Sequence, residues 1–320
     1  EDDAAQARRL MEGLLFLNSI SDVKGFVGRG VTTDGISHYP MGSNDQTGPW
    51  FYGLWRYYES ALASNEEKAR IAKHLIETSE AIIALQWRMP AETPFGTRGS
   101  FEGFHFEEAS RQIFVLKLLE TITADPKWAA LYRQTLAQSG GPEKLSKREI
   151  LEKGMKFFYA KTHNWTSCCA VAALRGLWEL ETDQELRDTY KRGLIASADL
   201  AAEALPMALK YDPNDQSVLV MDWRKAMLPL WKPQTTEKEA SDLADAQRRA
   251  WDAESPRRTH EAQTVREPIA AAWIVTLCPD ADIVSRHRES IEAMISSFNY
   301  PRLYYSGFFW AESAWYRLHP

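Results

Sequence analysis

Thr162-His163-Asn164-Trp165 runs straight into Cys168–Leu180, a stretch apolar on nearly all sides. Helices of that kind belong inside a larger protein rather than on its surface. The same order of events occurs four more times. Gly42-Ser43-Asn44-Asp45-Gln46 precedes the aromatic run Trp50–Tyr58, and Gly103-Phe104-His105-Phe106-Glu107-Glu108 precedes Ile113–Leu119. Arg258-Thr259-His260-Glu261 precedes Ile269–Leu277, and Tyr304-Tyr305-Ser306-Gly307 precedes Phe308–Trp315. If such helices lie side by side with their starts together, their polar openings line one mouth.

Working outward, each inner helix is followed by a charged, amphipathic one. Ser64-x-x-Glu67, Ser146-x-x-Glu149, Thr182-x-x-Glu185 and Thr236-x-x-Glu239 read as capping boxes that open such helices. After Ser64, Ile71, Leu75, Ser79 and Ile82 mark one face, and Glu66, Lys68, Arg70 and Lys73 the other. The expected pairs are Trp50–Ala63 with Asn65–Gln86, His105–Thr123 with Pro126–Ser139, Trp165–Leu180 with Asp183–Ala208, and His260–Leu277 with Asp280–Ser297. The openings recur at roughly 45–60 residues, with one interval long enough for two hairpins. Asp222–Met227 is the place for the missing inner helix, with Pro229 and Pro233 set to break it early. Strand signals are thin: Gln216–Met221 and Gly25–Tyr39 allow a short ribbon at most. The expected fold is all-α, an (α/α) toroid of five or six hairpins in a single domain over residues 1–320. Bulky Trp, Tyr and Phe on the inner helices suit the centre of a ring better than an open solenoid.

Composition narrows the function classes. A hydrophobic fraction of 44% supports a large core, and a net charge of -6 draws no polyanion. No basic stripe or nucleic-acid motif appears, so no nucleic-acid partner is expected. Cys168, Cys169 and Cys278 form no disulfide framework, and no zinc spacing is present, so no metal or cofactor is expected. No apolar run approaches the ~20 residues of a membrane span. The chain starts at Glu1 without Met, as a processed or trimmed chain would, which leaves an exported location open.

The openings carry the chemistry. His105, His163 and His260 occupy equivalent places in successive hairpins, each readable as a cap or as a general acid or base. Asp45, Glu107, Glu108, Glu261 and Glu312 read as N-terminal charges that favour the helix dipole, or as members of a glycosidase acid/base pair. Trp50, Trp165, Tyr305 and Trp310 are candidates for stacking on sugar rings, and twelve tryptophans tilt the ligand toward carbohydrate. Asn44 offers a hydrogen bond, while Arg29, Arg257 and Arg258 offer forks for a carboxylate.

His163-Asn164-Trp165, with Cys168 and small residues leading into the helix, resembles a motif of the heparinase II/III-like polysaccharide lyases over about 15 residues. More broadly, the hairpin rhythm resembles the superfamily of six-hairpin glycosidases and toroid lyases. Thr166, Ser167 and Cys169 depart from the expected Asn- and Gly-rich continuation, and no β-sandwich follows. The resemblance implies β-elimination on a uronic acid in an oligo- or polysaccharide. It places His163 and Asn164 at the substrate carboxylate and suggests Tyr304 or Tyr305 as base and acid. A six-hairpin hydrolase using Asp45 and Glu261 is the alternative. A sugar epimerase and a non-catalytic glycan-binding protein are further ones.

Overall fold

The computed structural model describes residues 2–157, 163–304 and 307–319. Helices dominate it: α1 (Asp2–Leu17), α2 (Asn44–Glu59), α3 (Asn65–Ala84), α4 (Phe106–Thr123), α5 (Pro126–Ala137), α6 (Lys147–Lys153), α7 (Asn164–Leu180) and α8 (Gln184–Ala202) come first. The short α9 (Arg224–Met227), then α10 (Glu237–Glu254), α11 (Pro256–Glu261), α12 (Glu267–Thr276), α13 (Ala281–Ser297) and α14 (Phe308–Leu318) complete the order. Strands are limited to two small hairpins, β1 (Arg88–Pro90) with β2 (Thr97–Ser100) and β3 (Ser139–Gly140) with β4 (Leu145–Ser146), both antiparallel. The all-α expectation holds at this level. Among the described residues no helix is long and apolar enough to cross a membrane.

The chain divides into two compact units, Glu1–Tyr159 with Cys169–Gly193, and Ala160–Cys168 with Leu194–Pro320. In the first unit α4 is the central element, buried on every face from Ile113 to Leu119. It packs against α2, α3, α5 and α6. Its turn into α5 is made by Ala124 in the left-handed region (φ 53°), followed by Asp125, whose carboxylate accepts from Lys127 N–H. Where α7 reaches α4, Gly176 leaves room for Phe114, since a Cβ there would stand 2.4 Å from the ring. Trp55 closes the same spot in an edge-on contact with Phe114, 5.5 Å between centroids. In the second unit α12 is the inner helix, buried from Pro268 to Ala272 and again from Ile274 to Thr276. α13, α14 and the 3-10 turn Leu205–Lys210 pack against it.

The caps explain the boundaries. Ser64, Ser146 and Thr236 each form the expected reciprocal box with Glu67, Glu149 and Glu239. The box expected at Thr182 is replaced. Asp183 caps α8 by accepting from Leu186 N–H at 3.0 Å, while Thr182 N–H turns back to Glu181. The ribbon expected over 216–221 does not form, because Val220 is satisfied by Ser255 Oγ and by the Trp251 indole N–H instead of a second strand. Between 25 and 39 there is one bridge, Val31 with His38. The helix expected near 222–227 is α9, four residues long, and Pro229 follows in a 3-10 turn.

Candidate functional site

Within the first unit, two of the polar openings meet. Ser43 caps α2 by accepting from Asp45 N–H, so Asn44 and Asp45 occupy its first turn. Asn44 donates to Ser100 O at 3.4 Å, which ties the opening to β2. Gly99 (φ 68°) permits this approach: a Cβ there would lie 3.0 Å from Asn44 Oδ1. His105 is the residue before α4, and no side-chain cap bond is made from it. His105, Glu108, Arg111 and Gln112 then follow one another along one face of the helix at the i, i+3, i+4 spacing.

Arg111 crosses from α4 to α2. Its stem passes over Gly48, where a Cβ would come within 3.0 Å of Cδ, and its Nη1 ends 3.3 Å from Asp45 Oδ1. The guanidinium side is 1% exposed, whereas the Asp45 side chain is half exposed. On the other side, burial pushes the Glu108 carboxyl above the usual range, opposed by the imidazole and backbone N–H of His105 and by Arg111. Lys147 completes the cluster. Its ammonium, pushed down to about 8 by burial, donates to Gln112 Oε1 and to Gln138 Oε1, and lies 5.1 Å from the centre of the Phe104 ring.

Arg29 borders this region. Desolvation and the like charge of Arg98 lower its pKa, while Tyr39 and Asp45 oppose that shift. It donates to Met41 O at 3.1 Å. Trp50, expected at a sugar-stacking rim, belongs to the core: it is 1% exposed and its indole N–H donates to Leu14 O. The helical phase that turns Asp45 outward turns Trp50 inward.

The second unit gathers the other openings. His163 is exposed directly before α7, Asn164 is buried, and Trp165 is 36% exposed. The guanidinium of Arg266 lies over that ring, 4.3 Å from its centre. Glu267 accepts the Asn164 backbone N–H at 2.8 Å. Burial raises its pKa, and the Asn164 N–H, Arg266 and His163 work against the rise. A carboxylate at the start of α7 is favoured by the helix dipole, so Glu267 acts there as a cap.

His260 does not sit at an opening. Pro256 starts α11 four residues earlier, with Ser255 before it, so His260 lies inside the helix and its Nε2 contacts Lys210 O at 3.1 Å. The equivalence with His105 and His163 therefore ends at the second of the three. Glu261 is buried with both oxygens engaged, Oε1 by Arg257 at 2.8 Å and Oε2 by the Tyr304 backbone N–H at 2.6 Å. Arg257 also donates to Arg302 O, which locks it into the same knot. Arg258 pairs with Asp252 and stacks between Trp251 and the Tyr304 ring, 4.4 and 5.4 Å from their centres. Trp310 is half-buried on α14, and Tyr305 lies outside the described residues.

Four participants escaped the sequence reading. Arg111 and Lys147 are buried cations, and Arg266 and Glu267 flank the His163 opening. No signal existed for Arg111, which stands between Ser110 and Gln112 ahead of the apolar run Ile113–Leu119. None existed for Glu267, whose place depends on a π turn at Ala262–Arg266. Among the described residues no group of His, Cys, Asp and Glu is arranged to hold a metal ion. Compared as a whole, the chain matches no protein family, no curated protein and no solved structure.

Proposed function

We propose that this chain is a carbohydrate-active enzyme of the (α/α) toroid kind that cleaves a uronic-acid-containing glycan by β-elimination. The observation that carries the reading is the His163-Asn164-Trp165 opening with Arg266 and Glu267 around it. A partly exposed indole with a guanidinium over it suits a sugar ring that bears a negative charge. His163 and the start of α7 supply positive potential for that carboxylate once it is bound. Neutralising it acidifies the C5 proton. A base then takes that proton, the electron pair forms the C4–C5 double bond, the C4–O bond breaks, and the leaving oxygen receives a proton. Tyr304 is the proposed base. Glu267, whose carboxyl keeps its proton to higher pH than an ordinary glutamate, is suited to the final protonation.

Incubation with a panel of uronate and neutral glycans, followed for both ultraviolet absorbance of the unsaturated product and new reducing ends, tests the reading. Absorbance is expected only with uronates, and His163→Ala should lower the rate by about 10²–10³. Undiminished elimination in a folded His163→Ala variant removes that residue from the mechanism. A hydrolase reading is favoured by one observation, the Asp45–Arg111–Glu108 arrangement, in which an exposed and a buried carboxyl flank one guanidinium. It predicts reducing ends without the absorbance, and their loss in Asp45→Asn.

A further inference from the structure

Arg111 is the one buried cation of the first unit's openings that the fold leaves without hydrogen bonds. Among the described residues its Nε, Nη1 and Nη2 atoms have no hydrogen-bond partner, and its ion contact is the 3.3 Å approach to Asp45. Burying a charge is costly unless hydrogen bonds and a well-placed counter-ion offset it. Asp45, half exposed and outside hydrogen-bond geometry, does so poorly, and so does Glu108, whose burial disfavours its charged form. Lys147, buried a short way off, shows the alternative: two glutamine oxygens receive its ammonium. The region also gathers like charge, for Arg29 and Arg98 repel one another beside the same Asp45. It lies at the N-terminus of a long helix, α2, where anions are favoured.

We propose that the first unit binds an organic carboxylate at Arg111, and that Asp45 is a stand-in that occupies the ligand's place until it arrives. The guanidinium fork presents two parallel N–H donors, which a carboxylate accepts in the plane and a lone Asp45 oxygen does not. The Asp45 side chain is the link between the guanidinium and solvent, since its carboxylate touches Nη1 while half of it is exposed. Gly48 keeps the passage for the Arg111 stem open, and the fixed turn around Gly99 holds the neighbouring wall. The choice of an acidic sugar as the natural carboxylate rests on the proposed function. The site itself does not, because it is defined by binding and not by turnover.

Calorimetric titration of the whole chain with glucuronate, acetate, glucose and inorganic phosphate tests the proposal. Glucuronate is expected to bind and glucose not. Asp45→Asn, which removes the competing charge and keeps the side-chain shape, should tighten glucuronate binding about tenfold, and Arg111→Met should abolish it. Arg111→Met is also expected to melt no lower than the parent chain, which separates loss of a site from loss of the fold. Weaker glucuronate binding in Asp45→Asn overturns the stand-in role, and binding retained in Arg111→Met overturns the site. Phosphate bound as tightly as glucuronate overturns the carboxylate assignment. Acetate bound in an Arg111-dependent way without glucuronate binding upholds the site and removes the acidic sugar.

Discussion

Arg111 and Lys117 are both buried cations on α4, yet their surroundings are opposite. Lys117 meets Glu181 at 3.2 Å and Glu120 at 3.3 Å, with the Tyr132 ring 5.1 Å away. Glu181 in turn accepts from Tyr132 OH and from the backbone N–H groups of Thr182 and Asp183, and Tyr132 is joined to Tyr190. Among the described residues Glu120 Oε2 makes no hydrogen bond, but the rest of the network ties α4, α5, α7 and α8 together. Arg111 has a half-exposed carboxylate at 3.3 Å and no hydrogen bond. A satisfied buried charge holds elements in place; an unsatisfied one waits for something. The difference separates architecture from binding on a single helix.

The largest effect is expected from Glu181→Ala, which strips Lys117 and Tyr132 of their shared partner. Unfolding in denaturant should show a loss of ~3–5 kcal/mol. A loss under about 1 kcal/mol, the range of an exposed pair, would place Lys117 in the same class as Arg111. The converse change, Arg111→Met, should gain ~1–4 kcal/mol, because an apolar side chain of similar length replaces a poorly paired charge. A loss of that size would make Arg111 a structural residue and end the contrast.

The smallest effect concerns pH. The Glu108 carboxyl has a folded pKa above its unfolded value, so its favourable contribution is present below the unfolded pKa and disappears as pH rises through the folded one. Glu108→Gln should therefore be more stable than the parent chain at neutral pH and equal to it below about pH 4. Denaturant titrations at the two pH values check this, and equal differences at both would remove the burial argument for Glu108.

Much of the helical architecture was legible in the residues. Apolar runs with no polar face marked α4, α7 and α12 as inner helices, and three of the four Ser/Thr-x-x-Glu boxes fixed helix starts to the residue. The fourth failed because Asp183, one position on, is the stronger cap for α8. The strand pair at 88–100 was missed because strands of three and four residues show no readable alternation. Of the residues read at the openings, Asn44 reaches β2 through Ser100, Asp45 reaches Arg111 of α4, and Asn164 reaches Glu267. His260 and Glu261 lie inside α11 because Pro256 starts that helix earlier than expected, and Trp50 faces the core because the direction of a side chain depends on helical phase. Arg111 was passed over because it stands among Glu107, Glu108, Ser110 and Gln112, where a charge reads as solvent-facing, although the folded chain buries it.

Phase is also what the π turn between α11 and α12 controls. Glu267 N–H bonds to Ala262 O, one residue further back than an α-helix would reach. The turn therefore holds one residue more than its length requires. Each α-helical residue rotates the chain by about 100°, so that single extra residue sets the direction in which every later side chain faces. Glu261, before it, is aimed at Arg257 and Tyr304; Glu267, after it, is aimed at Asn164. The segment works as a gear with one added tooth, by which two carboxylates in one continuous helical path serve two different openings.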